Sequence, residues 1–245
     1  MSDRLPALVL VHGFPLDGRM WREQVAALSD IRKVIAPDLP GHGENPSGSP
    51  MGSMDALAES LGALLDDQGL GAVDLAGFSM GGYVALAICR RFPGRVRSLA
   101  LIDSRTAPDT DAGRAGRDQL AAAIDERGPE AAADAMLPKM FTEGVAPELR
   151  DEVRGWMLAQ PPAALVADVV AMRDRLDSGD TLAGLSVPVL VVAGAEDPII
   201  PVAEAEAIAG AARNGKLVVV AGASHLAPLE QPGAVNEALR VHLTS

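Results

Sequence analysis

The chain has 245 residues, 48% apolar and 22% charged, which suits one large domain, or one domain carrying an inserted subdomain, with a substantial core. Its 21 basic residues against 33 acidic ones give a net charge of −12 with no basic run, which excludes nucleic acid and anionic membrane as expected partners. The single cysteine excludes an internal disulfide, no apolar run approaches the ~18 residues of a membrane span, and the N-terminus lacks a basic-then-apolar leader, so a cytoplasmic protein is expected.

Residues 7–11 form a continuous apolar run ended by His12-Gly13 and read as a strand buried on both faces. Met20, Trp21, Val25 and Leu28 recur at helical spacing over 19–29, and residues 33–36 form a second strand stopped by Pro37. Residues 38–46 are dense in turn formers and are expected as a loop. Leu57, Ala58, Leu61, Leu64 and Leu65 make one stripe of a helix from 54 to 69. A strand at 72–76 leads into a helix at 79–91, where Cys89 is expected as a small buried apolar residue, and a strand at 96–102 ends at Asp103. The order βαβαβαβ predicts a parallel sheet with helices on both faces.

The rhythm breaks between about 105 and 182. Helix-favouring segments at 114–126, 130–137, 147–159 and 165–176 are separated by Gly128-Pro129, Pro138, Gly144 and Pro161-Pro162. Residues 105–181 are therefore expected as a helical cap over the strand ends, with 1–104 and 182–245 as the core. Strands return at 187–193 and 216–221, with helices over 203–212 and 232–242.

The chemistry centres on Gly77-Phe78-Ser79-Met80-Gly81, where an apolar strand turns directly into an alanine-rich helix. Such an elbow pushes the Ser79 hydroxyl out above the sheet, and a Cβ at position 77 or 81 would collide with the reversing backbone. The helix aims its positive end at the same point. A serine nucleophile needs a base and a group that orients the base. Of four histidines, His12 and His42 precede glycines and are expected to pin loop backbone, and His242 is expected to be solvated near the chain end. His225 follows the last strand at the carboxyl edge of the sheet and is the candidate base.

Asp197 and Asp103 both leave strands at that edge. The order Ser, Asp, His favours Asp197, with 197 − 79 = 118 residues for a cap and 225 − 197 = 28 for one helix and one strand. Asp103 stands as the alternative. Backbone N–H groups of Met80 and of Phe14 are the expected oxyanion donors, because Pro15 has none to give.

His12-Gly13-Phe14, Pro37 to Gly43, Gly77 to Gly82, Gly194-Ala195-Glu196-Asp197 and Ser224-His225 together resemble the α/β-hydrolase fold superfamily along the whole chain. With its helical cap, the chain is similar to the branch of small serine esterases, 3-oxoadipate enol-lactonases and cofactor-free haloperoxidase-type perhydrolases. The resemblance implies ester or lactone hydrolysis through an acyl-enzyme, with no cofactor and no metal.

Only about six residues precede the first buried strand, so the two opening antiparallel strands are expected to be absent. That leaves a roughly six-stranded sheet with 33–36 at its edge, in a monomer or a homodimer covering that edge. Perhydrolysis or carbon–carbon bond hydrolysis on the same triad, and a ligand receptor with little turnover, are the alternatives. An aminopeptidase would want acidic cap residues such as Glu143 or Asp168 facing the site. Leu137, Met140, Phe141, Trp156, Ile199 and Leu226 are the candidate pocket residues, suited to a small or medium apolar acyl group.

Overall fold

The computed structural model describes residues 5–45 and 50–244; residues 1–4, where no leader was expected, and Pro46 of the expected loop lie outside them. The apolar runs become β1 (Leu8–Val11), β2 (Val34–Ile35), β3 (Val73–Phe78), β4 (Val96–Ile102), β5 (Val189–Gly194) and β6 (Gly215–Val220). All pair in parallel in the order β2-β1-β3-β4-β5-β6, so the short β2 is one edge and β6 the other.

The helices in chain order are α1 (Arg22–Leu28), α2 (Met54–Asp67), α3 (Met80–Arg91), α4 (Asp111–Arg127), α5 (Pro129–Met136), α6 (Pro147–Leu158), α7 (Pro162–Arg173), α8 (Gly179–Gly184), α9 (Val202–Ala211), α10 (Ala227–Glu230) and α11 (Pro232–Thr244). Period-two alternation divides the sheet's side chains between two cores. Val9, Leu75, Leu99 and Val191 pack with α2, α3 and α9, whereas Leu10, Phe78, Ile102 and Val192 pack with α1 and α11. Each such fully buried side chain contributes about 1.5–3 kcal/mol. Among the described residues, no helix is long and apolar enough to cross a membrane.

Two short helices, α8 and α10, were not expected. With 6 and 4 residues they carry too little periodicity for a stripe to be read. His242 corrects its expectation outright. It is buried beside Leu239 and Leu243 on the sheet-facing side of α11, and burial lowers its pKa.

Helices α4–α8 lie between β4 and β5 and are anchored to the rest of the chain at several places. At the hinge, Ser178 N–H donates to the Thr106 carbonyl (3.0 Å), and the buried Arg175 pairs with Asp109 (2.7 Å) while its guanidinium lies 4.5 Å from the Tyr83 ring centroid. On the far side, the Gln160 amide donates to Asp17 (2.6 Å), and Asp168 of α7 pairs with His42 (3.1 Å). Burial opposes the charged form of His42, but the Asp168 carboxylate outweighs it and raises the pKa. Asp168 is thus committed to His42, and Glu143 is exposed.

His12 holds the loop after β2 to the end of β1. Leu39 N–H donates to its Nε2 (3.0 Å), which leaves the proton on Nδ1, 3.2 Å from the Gly13 carbonyl. Burial, and then the neighbouring His42, push the His12 pKa down to about 4.

Three variants probe this frame. A Cβ on Gly81 would sit 2.2 Å from the Val11 carbonyl oxygen, so Gly81→Ala should cost about 3 kcal/mol or more in urea denaturation. Gly116, exposed within α4 with nothing near its missing Cβ, should gain ~0.5–1 kcal/mol as alanine. Because His12 resists protonation only when folded, its contribution is complete above the unfolded value near 6.5 and is lost as pH falls towards about 4. Stability measured from pH 8 to 4 should therefore fall about 3 kcal/mol further in the wild type than in His12→Gln; parallel curves would refute the assignment.

Candidate active site

Ser79 stands between β3 and α3 with φ 49 and ψ −114, a conformation that L residues rarely adopt and that costs roughly 1–3 kcal/mol. Its surroundings enforce it. Ser79 N–H donates to the Ile102 carbonyl (2.9 Å), while its own carbonyl accepts from Gly82 N–H (2.9 Å) and from Ser104 Oγ (2.8 Å). A Cβ on Gly77 would lie 2.3 Å from the Gly81 carbonyl oxygen, and one on Gly82 would lie 2.2 Å from Ser104 Oγ. Glycine is required because backbone and small side chains pass directly over one another here.

The structure brings Ser79, His225 and Asp197 into one line. His225 Nδ1 lies 2.7 Å from Asp197 Oδ2, and its Nε2 lies 3.0 Å from Ser79 Oγ. An ionised carboxylate only accepts, so Nδ1 carries the proton and Nε2 is free to accept from the serine hydroxyl. Asp197 is fixed in turn by Ile199 N–H, which donates to Oδ1 (2.7 Å). The Phe78 ring lies against the imidazole, with centroids 5.0 Å apart. His225 and the Asp197 side chain are fully buried, and Ser79 is only 9% exposed.

Asp103 ends β4 at φ 46 and accepts from Gly194 N–H (2.7 Å), away from the imidazole. Burial, and then the charge of Asp197, raise its pKa well above the usual carboxylate value. Two acids thus share the edge with different partners. The carboxyl group bonded to His225 Nδ1 belongs to Asp197 and not to Asp103.

Met80 opens α3, where first-turn N–H groups have no acceptor within the helix. Phe14 is buried in the loop after β1, and the close approach of Gly81 to the Val11 and His12 carbonyls sets that loop against the start of α3. Among the pocket candidates, Met140, Phe141, Trp156 and Leu226 are buried in one cluster with Phe78, and Leu137 packs against it half-buried. Met140 is brought to the histidine loop, its carbonyl accepting from Leu226 N–H (2.9 Å). Phe141 carries Arg150 5.5 Å from its ring centroid, and Trp156 carries both Arg19 and Arg22, at 5.6 and 5.4 Å. Ile199 is half-buried, and its backbone holds Asp197 and accepts from Arg105 (2.6 Å).

A cleft of about 650 Å³ lined by Arg19, Arg22, Asp38, Glu44 and Gln160 includes none of the three central residues. Among the described residues, no group of three or more His, Cys, Asp or Glu side chains is placed to hold a metal ion. Ser104 and Glu230, which hold the site's backbone, were not anticipated. Their partners are main-chain groups of distant segments, which leave no pattern in the sequence.

Three relatives share this frame. The acetyltransferase component of an acetoin cleaving system from Pseudomonas putida is 35% identical over 96% of the chain, which spans 63% of that protein's length. 3-Oxoadipate enol-lactonase 2 of Acinetobacter baylyi is 31% identical over 97% of the chain and 88% of its own. A malate-bound thermophilic esterase from Thermogutta terrifontis superposes with a TM-score of 0.95 at 38% identity, covering 99% of this chain and 91% of that one. The profile of the alpha/beta hydrolase family matches residues 8–238, and the chain belongs to that family.

Proposed function

We propose that the chain hydrolyses carboxylic esters or lactones through an acyl-enzyme on Ser79. The observation that carries this reading is the buried, correctly polarised line from Ser79 Oγ through His225 to Asp197. As Ser79 Oγ bonds to the carbonyl carbon, its proton passes to His225 Nε2, and Asp197 stabilises the imidazolium. The carbonyl oxygen gains negative charge, which the N–H groups of Met80 and Phe14 and the positive end of α3 stabilise. Collapse breaks the ester C–O bond, and His225 returns the proton to the leaving oxygen. A water deprotonated by the same nitrogen then releases the acid and regenerates Ser79.

Residues 105–181 act as a cap in this reading. Ser79 is only 9% exposed, which suits a reacting group sheltered from bulk water. The buried apolar cluster around Met140 and Leu226, with Leu137 and Ile199 beside it, suits a small or medium apolar acyl group. The names of the esterase and the enol-lactonase above support ester or lactone chemistry. We expect a monomer or homodimer acting on free small molecules.

Ser79→Ala should abolish p-nitrophenyl acetate hydrolysis, by at least ~10⁴-fold in kcat. Unchanged turnover would end the acyl-enzyme mechanism, and a panel of lactones and longer esters would then rank the substrates. Asp197→Asn and Asp103→Asn separate the two acids. The first removes the charge that fixes the imidazole tautomer and should cost on the order of 10³–10⁴-fold in kcat. The second alters a carboxyl that bonds Gly194 N–H and not the imidazole, and should cost less than about tenfold. The reverse order would reassign the acid.

A further inference from the structure

Two segments far apart in the chain meet around His225. Leu226 N–H donates to the Met140 carbonyl (2.9 Å). Glu230, the last residue of α10, accepts from Thr142 N–H through Oε1 (2.7 Å) and from Ser224 N–H through Oε2 (2.8 Å). The residues on either side of the histidine are therefore each tied to segment 140–142 of the insertion, one directly and one through this carboxylate.

The loop needs such ties. Gly222, at φ 67, turns the chain away from β6, and residues 223–226 belong to no strand or helix that would hold their backbone. Only a carboxylate offers an acceptor to each of two N–H donors without presenting a donor of its own; an amide would set its NH₂ against one of them.

We propose that Glu230 is a positioning residue for the base: it fixes residues 224–226 against segment 140–142, so that His225 spans Ser79 and Asp197 only while that part of the insertion is seated. The inference rests on the reading of Ser79, His225 and Asp197 as the reacting groups. It deepens that reading by making alignment of the base depend on the insertion, through a group that touches neither substrate nor imidazole.

The test compares wild type, Glu230→Gln, Glu230→Asp, His225→Ala and the double variant His225→Ala/Glu230→Gln. It measures kcat and KM for p-nitrophenyl acetate, the rate at which a fluorophosphonate labels Ser79, and the thermal midpoint. Glu230→Gln keeps the size of the side chain but loses one acceptor; Glu230→Asp keeps the charge but is one methylene too short to reach both donors. Each should lower kcat and the labelling rate by roughly tenfold to a hundredfold, with KM changed less than about threefold. With the imidazole gone in His225→Ala, adding Glu230→Gln should produce no further loss.

Wild-type rates in a folded Glu230→Gln or Glu230→Asp protein would overturn the proposal. So would an equal fold-loss with and without the imidazole, or a loss confined to KM. If Glu230→Gln does not fold, Glu230→Asp decides by the same criteria. Full labelling in His225→Ala would remove the triad reading and the positioning role with it. An inert His225→Ala beside a fully active Glu230→Gln would remove the positioning role alone.

Discussion

The backbone reversal at Ser79 is the constraint on which the site depends. β3 must stop, turn through one residue of positive φ and restart as α3 within the space left by the end of β1. Gly77 and Gly81 permit the crossing because any Cβ there would occupy a carbonyl's position. The roughly 1–3 kcal/mol of strain at Ser79 is offset by hydrogen bonds to its backbone from three sides. Ser104 links this turn to the end of β4, so the Ser79 backbone is braced from its other flank.

The remaining groups reach that point because parallel strands deliver their carboxyl ends to one edge. β5 leads to Asp197 and β6 to His225, and their loops lock together: Glu196 N–H donates to the Ala223 carbonyl, and Gly194 packs too close to Ser224 for a side chain. Asp103 follows β4 within the electrostatic reach of Asp197, and burial together with that neighbouring charge disfavours its ionised form.

Much of this was legible in the sequence. Runs such as Leu8–Val11 and Val189–Gly194 are apolar on both faces, a pattern that a sheet covered by helices produces and that a half-exposed strand does not. The elbow was legible because its glycines bracket the serine at fixed offsets. The aspartates were harder, since both leave strands at the same edge and only the direction of a side chain separates them. Asp197 meets the imidazole, whereas Asp103 turns to Gly194 N–H. Ser104, Glu230 and the Arg175–Asp109 pair left no trace, because each depends on which remote backbone or charge folding brings near. His242 was misread because nearness to the chain end was taken for exposure, while the stripe of α11 runs through it to Leu243.

The anchoring of the insertion at a few places has an evolutionary corollary. Its hinge, the His42–Asp168 pair and the 140–142 seam carry the structural obligations, while stretches such as the outward faces of α4 and α6 carry few. Sequence drift on those free faces leaves the Ser79–His225–Asp197 line alone. A lineage is thereby able to vary those faces while the seams that fasten the insertion to the sheet stay as they are.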